Sequence, residues 1–169
     1  FDENDENKSD LEIPGKQLFD YFSTLHGPTD ETEVPVPNDP PSKIINNERL
    51  NRPFSKKEFK SVIQSLKNKK SEGFDSISNE MIKNSPDALL DIIFCFMNLC
   101  LEKGLAPLSW TNELITLIHK KGDKHDPKNY RGICVSSALL KILCSLITKR
   151  LNNQCLEYGI LSKNQIGFT

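Results

Sequence analysis

IHKKGDKHDPKNYRGI, residues 118–133, sets Lys120, Lys121, Lys124, Lys128 and Arg131 on a stretch punctuated by Gly, Asp and Pro. The residues leading into it, ELITLIHKK, and those leading out, NYRGICVSS, are short runs that favour extended backbone. Two such runs around a turn-rich loop read as an antiparallel hairpin. The other periodic stretches read as helix, so this one strand pair makes the expected fold α+β rather than all-α.

Outward from the hairpin the helical period returns on both sides. Downstream, Ser136 or Ser137 can cap a long final helix in which Leu139, Leu140, Leu143, Ile147, Leu151 and Cys155 form the apolar stripe, with Gly159 as the stop. Upstream, DALLDIIFCFMNLCLEK runs to Gly104, with Ser85 and Pro86 suited to the cap and first helical positions. This helix is apolar around most of its circumference, which predicts burial on two sides. Further upstream, Ser55 and Glu58 have the spacing of a capping box, and Phe59, Val62, Ile63 and Leu66 continue it as a helix over 55–67. Between these helices Gly73 reads as a breaker, followed by a short helix carrying Ile77, Met81 and Ile82.

The front of the chain has a different composition. Residues 1–15 are an acidic leader with too little apolar surface to order itself. Residues 16–27 form a helix with Leu18, Phe19, Tyr21, Phe22 and Leu25 on one face and Gly27 at its end. Residues 28–53 read as a Pro-rich acidic linker, because PTDETEVPVPNDPPS holds five of the ten prolines. The body, residues 54–169, follows. The net charge of -1 conceals this division: residues 1–50 carry four Lys/Arg against twelve Asp/Glu, and the rest carry 18 against 11. A basic body behind an acidic leader points to a polyanion partner, or to a solvated basic face.

Five cysteines, Cys95, Cys100, Cys134, Cys144 and Cys155, show no CxxC pair and read as buried reduced thiols of an intracellular protein, in nucleus or cytoplasm. A zinc set drawn from His119, His125, Cys134 and Cys144 matches no common ligand spacing. No apolar run approaches the roughly 18 residues of a membrane span, so no membrane partner is expected. The first residue is Phe1 rather than Met, as expected of a piece of a longer protein.

The hairpin carries the chemistry. Antiparallel pairing can bring Lys120, at the end of one strand, and Arg131, near the start of the next, to one end of the sheet. An ammonium beside a guanidinium suits phosphate, the first as a point charge and the second as a bidentate fork. A basic tip that keeps a hairpin soluble has the same composition.

The order of motifs separates these readings. LKNKKSEGFDSISNEMIK, PLSW, LIHKKGDKHDPKNYRGI, ALLKILCSLITKRL and LSKNQIGF resemble, in sequence, the opening blocks of the reverse transcriptase domain of non-LTR (LINE-like) retrotransposons, in the subtype with KKGD and NYRGIS motifs. The resemblance runs from about Lys16 to Thr169. It implies a mostly helical fingers region with a short strand pair and the start of the palm. It also implies triphosphate-binding roles for Lys120 and Arg131, and positions near the template for Lys69, Lys70, Gly73, Lys121, Gln165, Gly167 and Phe168. The partners it implies are an RNA template, a DNA primer, deoxynucleoside triphosphates, and the downstream palm and thumb of the same polyprotein. Departures from the family pattern are KSEGFDSI where relatives have KAPGPDGI, Cys134 in place of Ser, and Thr169 in place of Arg.

Polymerase chemistry uses two Mg²⁺ ions held by carboxylates, which in this family lie beyond the NQxGF block. No Asp-Asp pair occurs in the chain, and Asp75, Asp123 and Asp126 sit where turns and caps need them. The expectation is therefore a chain that ends before the catalytic palm sheet, holds no metal and is inactive alone. A non-catalytic nucleic-acid-binding module or decayed relic is one rival reading. A helical interaction protein docking through Leu89–Leu101 is the other.

Overall fold

A computed structural model describes residues 13–26 and 48–160. Helices α1 (Gly15–His26), α2 (Glu48–Asn51), α3 (Lys56–Ser65), α4 (Asn79–Lys83) and α5 (Asp87–Lys103) precede strands β1 (Leu114–His119) and β2 (Tyr130–Val135). Helix α6 (Ala138–Glu157) follows them. Among the described residues the result is a mixed, mainly helical fold with one two-stranded antiparallel sheet, the α+β class expected. The acidic leader up to residue 12, Gly27, the linker up to residue 47, and Gln165, Gly167 and Phe168 lie outside the described residues.

The chain forms two compact units, one holding α1 with the hairpin and the other the remaining helices. In the helical unit, α3 begins with the reciprocal capping box that SxxE predicts. The Ser55 hydroxyl accepts from the Glu58 amide at 3.2 Å, and the Glu58 carboxylate accepts from the Ser55 amide at 2.7 Å. Phe59, Val62 and Ile63 then face inward and meet Met97 and Cys100 of α5, Trp110, and Ile142, Leu143 and Leu146 of α6.

Helix α6 buries a different row from the one expected. Ala138, Ile142, Leu146, Arg150 and Gln154 point inward together with Leu143, whereas Ile147 and Leu151 are 37% and 44% exposed. Two adjacent rows of this helix are apolar in their first half, so periodicity alone does not choose between them. The choice is made at Arg150, which finds partners inside. Its Nε donates to Glu58 Oε1 at 2.9 Å and its Nη2 to Glu58 Oε2 at 3.1 Å. The same guanidinium donates to the carbonyls of Leu50, Arg52 and Pro53 and lies 4.4 Å from the centre of the Phe54 ring. Asn98 of α5 holds the next residue of that segment, accepting from the Phe54 amide at 2.6 Å.

Helix α5 departs from expectation twice. Pro86, not Ser85, occupies the cap position, and the Ser85 hydroxyl instead donates to the Met81 carbonyl at 2.7 Å. Burial is one-sided: Leu89, Ile92 and Leu99 are exposed, because α3, α6 and Trp110 supply apolar partners for one face only among the described residues. Gly104 ends the helix as expected, at φ +62°. Ile82 of α4 is buried as expected, but Ile77 precedes the helix and Met81 is exposed. The cysteines are corrected as well: Cys100 is buried, but Cys95 and Cys144 are exposed and Cys155 is half-buried, because α5 and α6 each turn a second face outward, and Cys134 of β2 is exposed too.

In the other unit, Ile13, Leu18 and Phe22 pack against Tyr130, with Tyr21 and Leu117 at the margin. This places α1 under the hairpin. No helix among the described residues is long and apolar enough to cross a membrane.

Candidate functional site

The hairpin loop is held by its own side chains. Asp123 accepts from the His125 amide at 2.9 Å and from the His125 ring at 3.1 Å, contacts that hold its carboxyl below the usual range. Asp126 caps the short 3-10 turn Pro127–Asn129 by accepting from the Lys128 amide at 3.0 Å. Asn129 donates from its side chain to the Asp123 carbonyl, and the Tyr130 hydroxyl donates to the Lys124 carbonyl. Gly122 turns the chain at φ +93°, a region that favours glycine. Asp123 and Asp126 thus have the turn and cap roles expected of them.

At the mouth of the loop the Lys120 amide donates to the Asn129 carbonyl at 2.8 Å, which sets the register. His119 and Tyr130, the next pair, meet with ring centres 5.2 Å apart. Alternation of side chains along each strand then places Lys120, Ile118 and Arg131 on one face and Leu117, His119, Tyr130 and Gly132 on the other. The second face is the covered one. Lys120, Ile118, Arg131 and Ile133 are exposed, as is Lys121 at the tip. Lys120 and Arg131 are diagonal neighbours across the strands, within reach of one anionic group for side chains of this length.

Lys69, Lys70 and Gly73 share one loop of the helical unit. Lys69 adopts φ +55°, and its amide is held by Glu80 Oε1 at 2.6 Å, which in turn keeps the Glu80 carboxyl below its ordinary range. Asn79 and Lys83 bind the Lys67 and Leu66 carbonyls from below, so the lysine-bearing backbone is fixed while Lys69 and Lys70 stay exposed. Gly73 is buried against the backbone of Ser136 and Ser137, where a Cβ would lie 2.8–2.9 Å from those atoms. It is a close-approach glycine rather than a helix stop. Two residues on, Asp75 accepts from the Ser137 hydroxyl at 2.5 Å and from the Ile77 amide at 3.2 Å. The GFD turn is thereby fastened to the cap of α6, a junction that sequence spacing did not reveal.

Among the described residues no three His, Cys, Asp or Glu side chains gather as a metal set. Asp75, Asp123 and Asp126 are occupied by the contacts above, so these residues do not fit the two-metal centre of a polymerase.

No family model matches the chain. It is 34% identical over 118 residues to the "Probable RNA-directed DNA polymerase from transposon BS" of Drosophila melanogaster, covering 69% of this chain and 13% of that protein. To the Pol polyprotein of the type-1 retrotransposable element R1 of Bradysia coprophila it is 30% identical, over 66% of this chain and 11% of the relative. The corresponding R2 polyprotein of Popillia japonica is 43% identical over 33% of this chain and 8% of its own length. Its homologues are non-LTR retrotransposon RNA-directed DNA polymerases. This reverse-transcriptase-related chain spans about an eighth of the length of the curated relatives it matches. Of the residues singled out from its motifs, Lys120 and Arg131 come together on one sheet face, and Lys69, Lys70 and Gly73 in one loop. Ser137 caps α6 as expected, but its bond to Asp75 and the partners of Arg150 were not foreseen. Asp75 lies 62 residues from Ser137 and Glu58 lies 92 from Arg150, and no local pattern connects either pair.

Proposed function

We propose that this chain is the fingers and leading palm portion of a retrotransposon reverse transcriptase, in which Lys120 and Arg131 receive the triphosphate of the incoming deoxynucleotide. The observation that carries the reading is the position of these two cations on the uncovered face of a hairpin whose other face is packed. A triphosphate needs charges of this kind, fixed in place before it arrives. Lys69 and Lys70, presented by a braced loop, would meet the template backbone without reading its sequence. Lys121, exposed at the hairpin tip, would likewise meet template phosphate. In this reading Mg²⁺ is held by carboxylates of a longer parent protein, and this chain alone does not polymerise.

The test is a titration of the purified chain with a deoxynucleoside triphosphate in the presence of Mg²⁺. Replacing both Lys120 and Arg131 by Ala should weaken binding by roughly 30-fold or more, the loss of two charge-assisted contacts. Equal affinity for the double variant would remove the hairpin from the nucleotide site.

The exposed Leu89, Ile92 and Leu99 of α5 support a second reading, a helical interaction surface. It requires an oligomer or partner complex that survives loss of all the basic residues named above, measurable by sedimentation.

A further inference from the structure

We infer that α1 is a positioning element for Lys120 and Arg131, and that Phe22 is the contact through which it acts. A two-stranded hairpin has no independent stability of note in water and needs something packed on one face. In this unit the packing comes from α1, through Leu18 and Phe22, with Ile13 just before it.

The contacts fall where the two cations are set. Gly132 leaves a notch in β2: a Cβ there would lie 3.2 Å from the Phe22 ring and 3.0 Å from Ile115. The ring therefore rests against the backbone immediately after Arg131, whose side chain leaves from the opposite face. Helix α1 also meets the 3-10 turn Pro127–Asn129. The Asn129 carbonyl of that turn takes the Lys120 amide, so the same helix steadies both cations from below. Tyr130, buried against α1, extends the support into the loop through its bond to the Lys124 carbonyl. With α1 undocked, the hairpin loses its cover and the cations lose their fixed separation. The consequence for nucleotide binding rests on the function proposed above; the coupling of hairpin order to α1 does not.

Amide hydrogen exchange on the full 169-residue chain separates the two. Phe22→Ala should accelerate exchange of the Lys120 amide on the order of 100-fold, with Ile142 and Leu146 of α6 unchanged. Gly132→Val, which fills the notch from the other side, should do the same. Phe22→Leu should restore slow exchange to within roughly threefold of the parent, and Leu25→Ala, at an exposed position of α1, should have no effect. The inference is overturned if Lys120 and Arg131 exchange at parental rates while the amides of α1 open freely. It is equally overturned if Ile142 and Leu146 accelerate to the same extent, since the coupling would then be global. In parallel, deoxythymidine triphosphate with Mg²⁺ should bind Phe22→Ala about tenfold more weakly than the parent. A parent chain that fails to bind it removes the nucleotide reading and leaves the exchange result to decide the role of α1.

Discussion

Arg150 is 8% exposed and its guanidinium serves the Glu58 carboxylate, three backbone carbonyls and the face of Phe54. Removing one partner of such a set leaves the others desolvated and unpaired, which costs more than the pair contributes. Arg150→Ala should lower unfolding stability by about 3 kcal/mol, read as a lower urea midpoint at unchanged slope. Arg150→Lys should recover less than half, because one ammonium cannot reproduce a planar fork. The same site sets an acid limit. Hydrogen bonds from Arg150, reinforced by the Ser55 amide and hydroxyl against the opposing effect of burial, bring the Glu58 carboxyl down to about 2. In the unfolded chain it titrates near pH 4.3, roughly the value of a free glutamate. The folded value is the lower one, so the stabilisation is complete above about pH 4.3 and is lost as pH falls through about 2. Allowing for solvent at the carboxylate edge, this contribution is on the order of 1–2 kcal/mol, and Glu58→Gln should flatten stability across that window. Half of the site was legible: SxxE announced Glu58 at its cap. Arg150 was not, since a charge ending an apolar stripe looks like a solvated residue until its partners are known.

Among the elements, the hairpin was legible because β-favouring runs and a Gly, Asp and Pro loop are local signals, and both strands lie within the runs that predicted them. The turn between α3 and α4 was not. Gly73 has the same appearance in sequence whether it stops a helix or admits another backbone, and here it admits Ser136 and Ser137. Gly73→Ala should therefore destabilise by about 2 kcal/mol, the cost of forcing a methyl group against backbone that cannot rotate away. Thermal unfolding of the variant checks this. A cost below about 0.5 kcal/mol would mean that the turn relaxes freely. The one-sided burial of α5 and the rotated face of α6 have a shared origin. Where two faces of a helix are both apolar, the partner elements decide which one is covered, and those partners are far away in the sequence.

At the scale of the molecule, an acidic first third precedes a basic remainder, and Lys69, Lys70, Lys120, Lys121 and Arg131 lie on exposed loops and strands. In the rival reading, a non-catalytic nucleic-acid-binding module, Lys69, Lys70, Lys120, Lys121 and Arg131 each meet a phosphate of single-stranded RNA, and log K against log salt should have a slope of about -3.5. The Lys120→Ala, Arg131→Ala pair should make it shallower by about 1.4, measured by filter binding between about 50 and 200 mM salt. An unaltered slope would place the RNA elsewhere. The docking of α1 beneath β2 has one more consequence, for the order in which the protein is made. Phe22 leaves the ribosome about 110 residues before Gly132, which at typical synthesis rates is roughly 5 to 20 s. Through that interval Leu18 and Phe22 have no strand to cover, so the nascent helix is a natural client for a chaperone that binds short apolar segments.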